Sequence, residues 1–128
     1  MILVLCVDEK MGLQFNRRRQ SRDSAVSADI MTRAGRLWIH PFSEKLFGEG
    51  VLTDENWLFK AEPGDWCFCE DRSYLDCTER IEKIILYRWN RVYPRDMIFE
   101  FPGLWKLDQV TQLKGSSHEI ITREVYTK

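Results

Sequence analysis

Two short apolar runs, Ile2–Val7 at the start of the chain and Ile84–Trp89 further along, constrain the fold most. The first is apolar throughout and the second at most positions. A strand with apolar residues on both faces is typical of the interior of a parallel sheet, where helices cover the strand on each side. The chain is therefore expected to build an α/β fold around these two strands.

The remaining segments complete this prediction. Four further strands are predicted at Arg36–His40, Trp66–Cys69, Asp96–Phe101 and Ile120–Tyr126. Helices are predicted at Ser24–Thr32 (capped by Ser21 or Asp23), Glu44–Phe47 (capped by Ser43) and Tyr74–Glu82, with Gly48–Gly64 mostly loop. An order of βαβαβαβ followed by strands alone implies a mostly parallel central sheet, helices on both faces and antiparallel C-terminal strands.

Composition narrows the classes of partner. A chain of 128 residues suits one domain, spanning residues 1–128. The net charge of −1, from 19 basic and 20 acidic residues, gives no signal for general nucleic-acid or membrane-surface binding. The apolar start is too short to cross a membrane and lacks the features of an export signal, so a cytoplasmic location is expected. Oligomeric state is left open.

The four cysteines are expected to be free thiols. Cys67 and Cys69 are two positions apart in a predicted strand, which places both thiols on one face. Zinc needs four ligands, usually from two such pairs. We therefore expect structural burial of these cysteines and no metal.

Several segments resemble the dihydrofolate reductase family. Tyr93–Phe101, Leu104–Leu107 and Glu124–Tyr126 are similar to the family's closing pattern of an acidic turn, a W-x-L element and a terminal V-Y strand. Val7–Leu13 is similar to the strand that runs into the mobile substrate loop. Cys67–Leu75 takes the place of the family's strand, Gly-Gly and helix element. The resemblance implies a dihydrofolate reductase-like fold over nearly the whole chain.

Departures from the family pattern argue against an ordinary NADPH-dependent reductase. The two glycines that admit the cofactor pyrophosphate are replaced by Glu70 and Asp71. Two carboxylates repel that dianion by more than the roughly 0.3–1 kcal/mol that a helix dipole contributes. The Gly-Arg-x-Thr element is replaced by His40–Ser43, and Gly48–Gly64 is short for the family's adenosine-binding unit. No cofactor is expected.

A basic run precedes the first predicted helix, with four arginines in the six positions from Arg17 to Arg22. Arginine suits bidentate contact with phosphate or carboxylate, and a helix N-terminus favours anions. The candidate ligand-binding residues here are Asn16, Arg17, Arg18, Arg19, Ser21 and Arg22. Asp23 matches, by the resemblance, the helix carboxylate that anchors the pterin. The alternatives are that the basic run is a solvated loop and that Asp23 only begins the helix.

A second polar group lies between the last two predicted strands and contains His118 and Glu119. In the reductase layout this loop lies beside the substrate loop, so both residues could approach Asp23 and act with it as acid–base catalysts. A surface turn without chemistry is the alternative. Further candidate ligand contacts are Trp38, Trp89, Asn90 and Arg91, with the two tryptophans available to stack on a ring.

The leading hypothesis is a reductase-derived module that binds a small anionic ligand, such as a nucleotide or a phosphorylated metabolite. A phosphoester-cleaving or nucleotide-transforming enzyme on the same scaffold is one rival. A protein-interaction or immunity-type partner without a small ligand is the other.

Overall fold

A computed structural model describes all residues, 1–128. Its main sheet has seven strands in the order β5-β4-β6-β1-β7-β10-β9, and a second sheet has the order β3-β2-β8. The strands are β1 (Ile2–Val7), β2 (Gly12–Phe15), β3 (Arg18–Arg19), β4 (Leu37–Ile39), β5 (Leu52–Thr53), β6 (Trp66–Phe68), β7 (Lys83–Arg88), β8 (Met97–Ile98), β9 (Lys106–Lys114) and β10 (Ile120–Thr127). The α-helices are α1 (Ser24–Arg33) and α2 (Trp57–Lys60), and 3-10 helices span Pro41–Leu46, Ser73–Asp76 and Thr78–Arg80.

The two apolar runs form the centre of the main sheet, as predicted. β1 pairs in parallel with β6 on one side and with β7 on the other, Leu3 facing Cys67 and Ile84. β4 extends the parallel part through β6, and β5 through β4. β10 runs antiparallel to β7, and β9 runs antiparallel to β10. The predicted fold class, a mostly parallel sheet with antiparallel C-terminal strands, is confirmed.

Each face of the sheet carries its own apolar core. Alternate residues of β1 point to opposite faces, so Leu3 and Leu5 join one core cluster and Val4 joins the other. α2 and the later 3-10 helices pack on the first cluster. α1 packs on the second through Val26 and Ile30, both buried. Helical segments therefore cover both faces. No helix in the structure is long and apolar enough to cross a membrane.

The basic run forms a hairpin rather than the predicted loop. β2 pairs antiparallel with β3, Gln14 facing Arg19. The turn between them is Asn16–Arg17, with φ angles of 50° and 61°. Two consecutive positive φ angles are the mark of the two-residue turn that matches the twist of a hairpin. The arginines therefore alternate in direction and do not act as one cluster.

Two predicted helical features are wrong in detail. Tyr74–Glu82 is two 3-10 turns that break at Cys77, whose φ of −145° is not helical. The segment at Pro41–Leu46 is capped by His40, whose Nδ1 accepts from the backbone N–H of Phe42, and not by Ser43. The stretch Gly48–Gly64 is mostly irregular, as predicted, and contains only the short β5 and α2.

The C-terminal strands also differ in extent. The predicted strand Asp96–Phe101 contains only the two-residue β8, which pairs with β2. No strand is predicted from the sequence where β9 lies. Its apolar residues, Leu107, Val110 and Leu113, recur at every third position and so do not show the alternation that predicts a strand. β9 is an edge strand exposed along most of its length, and burial therefore imposes no alternating pattern on it.

Candidate functional site

A narrow cleft lies where the carboxyl ends of β1, β6 and β7 meet the start of α1. Its walls combine apolar side chains, most of them from the second core cluster, with polar groups of the segment between β3 and α1. The lining residues are Cys6, Leu13, Arg19, Gln20, Ser21, Arg22, Asp23, Val26, Ser27, Ile30, Leu46, Phe47, Phe68, Glu70 and Trp89. The space open to a water-sized sphere is about 20 Å³, room for about one water. Open α/β sheets bind ligands at this edge.

Asp23 is the most heavily bonded side chain of the cleft. It caps α1 by accepting from the backbone N–H of Ala25 at 2.9 Å. It also accepts from three consecutive backbone N–H groups, those of Ser116, Ser117 and His118, at 2.9–3.1 Å. The N-terminus of α1 is thus already occupied by a carboxylate of the chain itself, which corrects the prediction that this terminus would receive an external anion.

The hydrogen bonds determine the ionisation of Asp23. Burial raises the pKa of a carboxyl group, but the bonds from Ser116, Ser117 and His118 outweigh burial and hold the pKa of Asp23 well below its ordinary value. Gly115 permits the close approach, because a Cβ there would lie 2.8 Å from Asp23 Oδ2 and 2.2 Å from the carbonyl oxygen of His118. The loop between β9 and β10 therefore closes tightly around an ionised carboxylate.

His118 is held between Asp23 and two hydroxyl groups. Its Nδ1 lies 3.0 Å from Asp23 Oδ2, and its Nε2 lies 2.9 Å from the hydroxyl of Tyr93 and 3.2 Å from Ser21 Oγ. The ring stacks on Trp89 with a centroid distance of 4.7 Å and an interplanar angle of 20°. The side chain is 3 % exposed. The expected proximity of the His118 loop to the start of α1 is thus observed.

An ion pair crosses the opposite end of the cleft. Arg19 donates to both carboxylate oxygens of Glu70, at 2.7 and 2.8 Å, and Ser43 Oγ donates to the same carboxylate at 2.8 Å. The guanidinium also donates to the carbonyl oxygen of Phe42 and lies over the Phe42 ring. Glu70, one of the two carboxylates that replace the family's glycines, is therefore neutralised inside the protein.

Arg22 is the unpaired charge of the cleft. Asp23 and Glu70, the two acids that line it, are both satisfied by donors of the chain. Arg19 is paired with Glu70, whereas the guanidinium of Arg22 makes no ion pair or hydrogen bond. One further polar atom lacks a partner, the side-chain carbonyl oxygen of Gln20, which is buried without a donor.

Three of the predicted binding residues lie away from the cleft. Asn16 and Arg17 form the exposed tip of the β2–β3 hairpin, and neither lines the cleft. Arg18 is exposed and lines a separate shallow groove beside Tyr93. The basic run therefore divides, with only Arg19 and Arg22 reaching the cleft.

The other predicted contacts divide in the same way. Trp89 is buried and lines the cleft, but Trp38 donates to Asp65 at 3.0 Å on another part of the sheet. Asn90 is exposed and donates to the carbonyl oxygen of Ile120 and to Thr122. Arg91 is exposed, and its carbonyl oxygen accepts from the backbone N–H of Glu9. Glu119 is exposed and lines a groove beside β9, so it does not share a site with His118 and Asp23.

The cysteines lie in the core. Cys67 and Cys69 both join the first cluster, as their strand spacing predicts. Burial raises the pKa of the Cys67 thiol to about 12. No group of three or more His, Cys, Asp and Glu side chains is arranged to hold a metal ion.

Three features of the site could not be predicted from the sequence. They are the contact of Tyr93 with His118, the unmet oxygen of Gln20 and the pairing of Glu70 with Arg19. Their roles depend on contacts across 25 residues for Tyr93 and His118, and across 51 residues for Arg19 and Glu70. No local signal marks such pairs. The one local indication of the site was that Ser21 and Arg22 directly precede Asp23, which caps α1.

Comparison with known proteins identifies the fold. No protein-family model matches the sequence. No curated protein is similar to it in sequence. Among solved structures, the chain is similar to dihydrofolate reductase from Enterococcus faecalis complexed with NADP(H) and RAB-propyl, with a TM-score of 0.67 and 9 % sequence identity. The match covers 98 % of this chain and 94 % of that one. The chain therefore has a dihydrofolate reductase-like fold, as its segments predict.

Proposed function

We propose that the protein binds a small anionic ligand in this cleft. One observation carries the proposal: Arg22 is an unpaired cation in a cleft whose acids are both neutralised by the chain itself. Arg22 is exposed and lines the cleft, so its whole guanidinium is free for bidentate contact with a phosphate or carboxylate. A phosphorylated metabolite, a nucleotide or a carboxylate meets this requirement.

The walls suggest the rest of the ligand. Val26, Ile30, Phe47 and Phe68 offer apolar surface for a ring or a short chain. The buried oxygen of Gln20 accepts no hydrogen bond, and an unmet acceptor of this kind costs roughly 1–3 kcal/mol. A ligand with an N–H or O–H group at that position removes the penalty. Because the cleft is narrow, binding requires side chains at its mouth to move outward.

The proposal excludes the usual binding mode of NADPH. The protein of similar structure is complexed with NADP(H), but here the carboxylate of Glu70 is fixed by Arg19 and Ser43. A pyrophosphate in that position has to break this ion pair and then faces the released carboxylate. The ligand is therefore expected to be smaller than a dinucleotide.

The test is a thermal-shift screen of the wild-type protein against nucleotides, phosphorylated sugars and small carboxylates. A ligand at about 100 times its dissociation constant stabilises the native state by about 2.7 kcal/mol. Arg22→Ala removes the unpaired cation and is expected to weaken binding by roughly 10- to 100-fold, from a charge-assisted bond of about 1.5–3 kcal/mol.

Arg17→Ala is the matched control, because Arg17 is exposed at the hairpin tip and is not expected to alter the shift. If no anion shifts the wild type, or if Arg22→Ala shifts as much as the wild type does, the proposal is wrong. The protein-interaction role then becomes the leading hypothesis.

A second candidate function is catalysis on the same scaffold. The contact that favours it is the 3.0 Å bond between Asp23 and His118, with hydroxyl groups on the other ring nitrogen. This arrangement suits general acid–base chemistry on a bound phosphoester or nucleotide. Glu119 takes no part in this candidate, since it lies outside the cleft.

A further inference from the structure

We propose that Ser21 is a nucleophile and that Ser21, His118 and Asp23 together hydrolyse a small carboxylic ester bound in the cleft. The inference rests on the proposed role of the cleft as a ligand site, but it gives Arg22 another partner, the oxyanion of a reacting neutral ester in place of the charge of a bound anion. It adds a covalent step, a reaction class and a substrate class to that site. Ser21 lines the cleft and contacts the histidine that Asp23 orients.

The proton positions follow from the hydrogen bonds. Asp23 is ionised and can only accept, so Nδ1 of His118 must carry the hydrogen of their 3.0 Å contact. In a neutral imidazole the other nitrogen, Nε2, then has a free lone pair. Ser21 Oγ lies 3.2 Å from Nε2, within reach of a hydrogen bond that activates a serine hydroxyl. The three side chains therefore have the donor order that a serine nucleophile needs.

Stacking and a backbone hydrogen bond fix the orientation of His118. His118 stacks on Trp89, and its backbone N–H also donates to Asp23 at 3.0 Å. The ring is almost fully buried, whereas Ser21 is only partly buried and lines the cleft. A ligand in the cleft therefore meets the hydroxyl of Ser21 first, and Nε2 of His118 lies 3.2 Å behind that hydroxyl. This is the arrangement expected of a base that acts through a nucleophile.

Tyr93 competes with Ser21 for the same nitrogen. Its hydroxyl lies 2.9 Å from Nε2 and 3.5 Å from Ser21 Oγ. The single lone pair of Nε2 accepts one of the two hydroxyls at a time. Removing the tyrosine hydroxyl is therefore expected to leave Nε2 to Ser21, an effect that a purely structural cluster does not predict.

The reaction balances without a co-reactant other than water. Ser21 Oγ bonds to the acyl carbon while its proton passes to Nε2 of His118. The bond to the alcohol oxygen then breaks, and the departing alkoxide takes that proton. A water molecule next gives a proton to Nε2 and attacks the acyl carbon. The bond to Ser21 breaks, its oxygen recovers the proton, and the carboxylic acid leaves.

Charge favours an acyl over a phosphoryl substrate. The tetrahedral intermediate of acyl transfer carries one negative charge on one oxygen. The backbone N–H groups of Ser21 and Arg22 donate to no protein acceptor, and the Arg22 guanidinium is unpaired. These groups lie next to the nucleophile in the chain and have no other acceptor, and the proposal assigns them to the oxyanion. The narrow cleft restricts the acyl group to a short one.

The experiment combines a covalent probe with hydrolysis of p-nitrophenyl acetate. A fluorophosphonate, which reacts with activated serines, is expected to add one label to the wild-type protein, found on Ser21 by peptide mass spectrometry. Ser21→Ala is expected to lose the label and to reduce hydrolysis by about 10³-fold or more. Tyr93→Phe is expected to keep or raise both signals.

Ser73→Ala is the matched control, because Ser73 lies outside the cleft, on a 3-10 helix, and its hydroxyl makes no hydrogen bond. It is expected to label and hydrolyse as the wild type does. Thermal melts establish that each variant is folded. An unlabelled but folded wild type, a label that persists in Ser21→Ala, or equal hydrolysis by Ser21→Ala overturns the inference.

The anion screen on Ser21→Ala separates the two proposals. If an anion still stabilises this variant while the wild type takes no label, only the nucleophile is refuted and the binding function remains. If neither an anion shift nor a label is found, both proposals fail together.

Discussion

Replacing Asp23 by Asn is expected to destabilise the protein strongly, although the two side chains have nearly the same shape. Oδ1 of Asp23 accepts from Ala25 N, Ser116 N and Ser116 Oγ, and Asn can keep these bonds and cap α1 equally well. Oδ2 accepts from five donors, of which Ser116 N and Ser117 Oγ have a second acceptor, and Ser117 N, His118 N and His118 Nδ1 depend on Oδ2. In Asn an amide NH₂ takes the place of Oδ2. Because this group is itself a donor, it cannot accept from these three donors.

The size of the loss follows from those three contacts. The His118 ring can exchange tautomers and accept from the new amide, which leaves the backbone N–H groups of Ser117 and His118 without an acceptor. Each unmet donor costs about 1–3 kcal/mol. Asp23→Asn is therefore expected to lower the free energy of unfolding by about 2–6 kcal/mol, out of a typical 5–15 kcal/mol. The exchanged tautomer also makes Nε2 a donor, so Ser21 loses its base.

The assay is chemical denaturation of the wild type and the variant between pH 7 and pH 2.5. The pKa of Asp23 is lowered in the folded state, so its stabilisation is complete above the unfolded value of about 3.9 and is lost as the pH falls below it. The difference in unfolding free energy between the two proteins should therefore be full at pH 7 and shrink towards pH 2.5.

Asp108→Asn is the matched control, since Asp108 is exposed on β9 and makes no ion pair or hydrogen bond. Its stability is expected to match the wild type within about 0.5 kcal/mol. A loss below about 1 kcal/mol in Asp23→Asn, or a loss that stays constant with pH, refutes the view that an ionised Asp23 holds the β9–β10 loop to α1.

Two further predictions concern the cofactor and the thiols. NADPH is expected to give no micromolar binding in a fluorescence titration, because Glu70 is fixed by Arg19 where a pyrophosphate would lie; a micromolar dissociation constant contradicts this. Cys67, Cys69 and Cys77 are expected to react with a thiol reagent at pH 8 only after unfolding, because burial raises the pKa of each thiol. Fast reaction of these three cysteines in the native protein would show that the first core cluster is open to solvent.

The sequence determined the architecture because the signals for it are local. An uninterrupted apolar run predicts a central strand wherever it occurs, and Ile2–Val7 and Lys83–Arg88 are adjacent parallel strands. Of the two caps that the sequence offered for the first helix, Ser21 and Asp23, the structure has Asp23. Strands without such a pattern, such as β9 at the exposed edge, could not be found, since solvent on both faces imposes no periodicity.

The candidate site depends on contacts that only the tertiary structure decides. The sequence places Asp23 and His118 in two polar segments, and the fold resemblance brings those segments near each other. It does not say that three backbone N–H groups and an imidazole converge on one carboxylate. Nor does it say that the basic run divides, with Arg19 held by Glu70 and Arg22 left unpaired. Side-chain pairing across distant segments depends on distances of tenths of an ångström, which composition and periodicity do not encode.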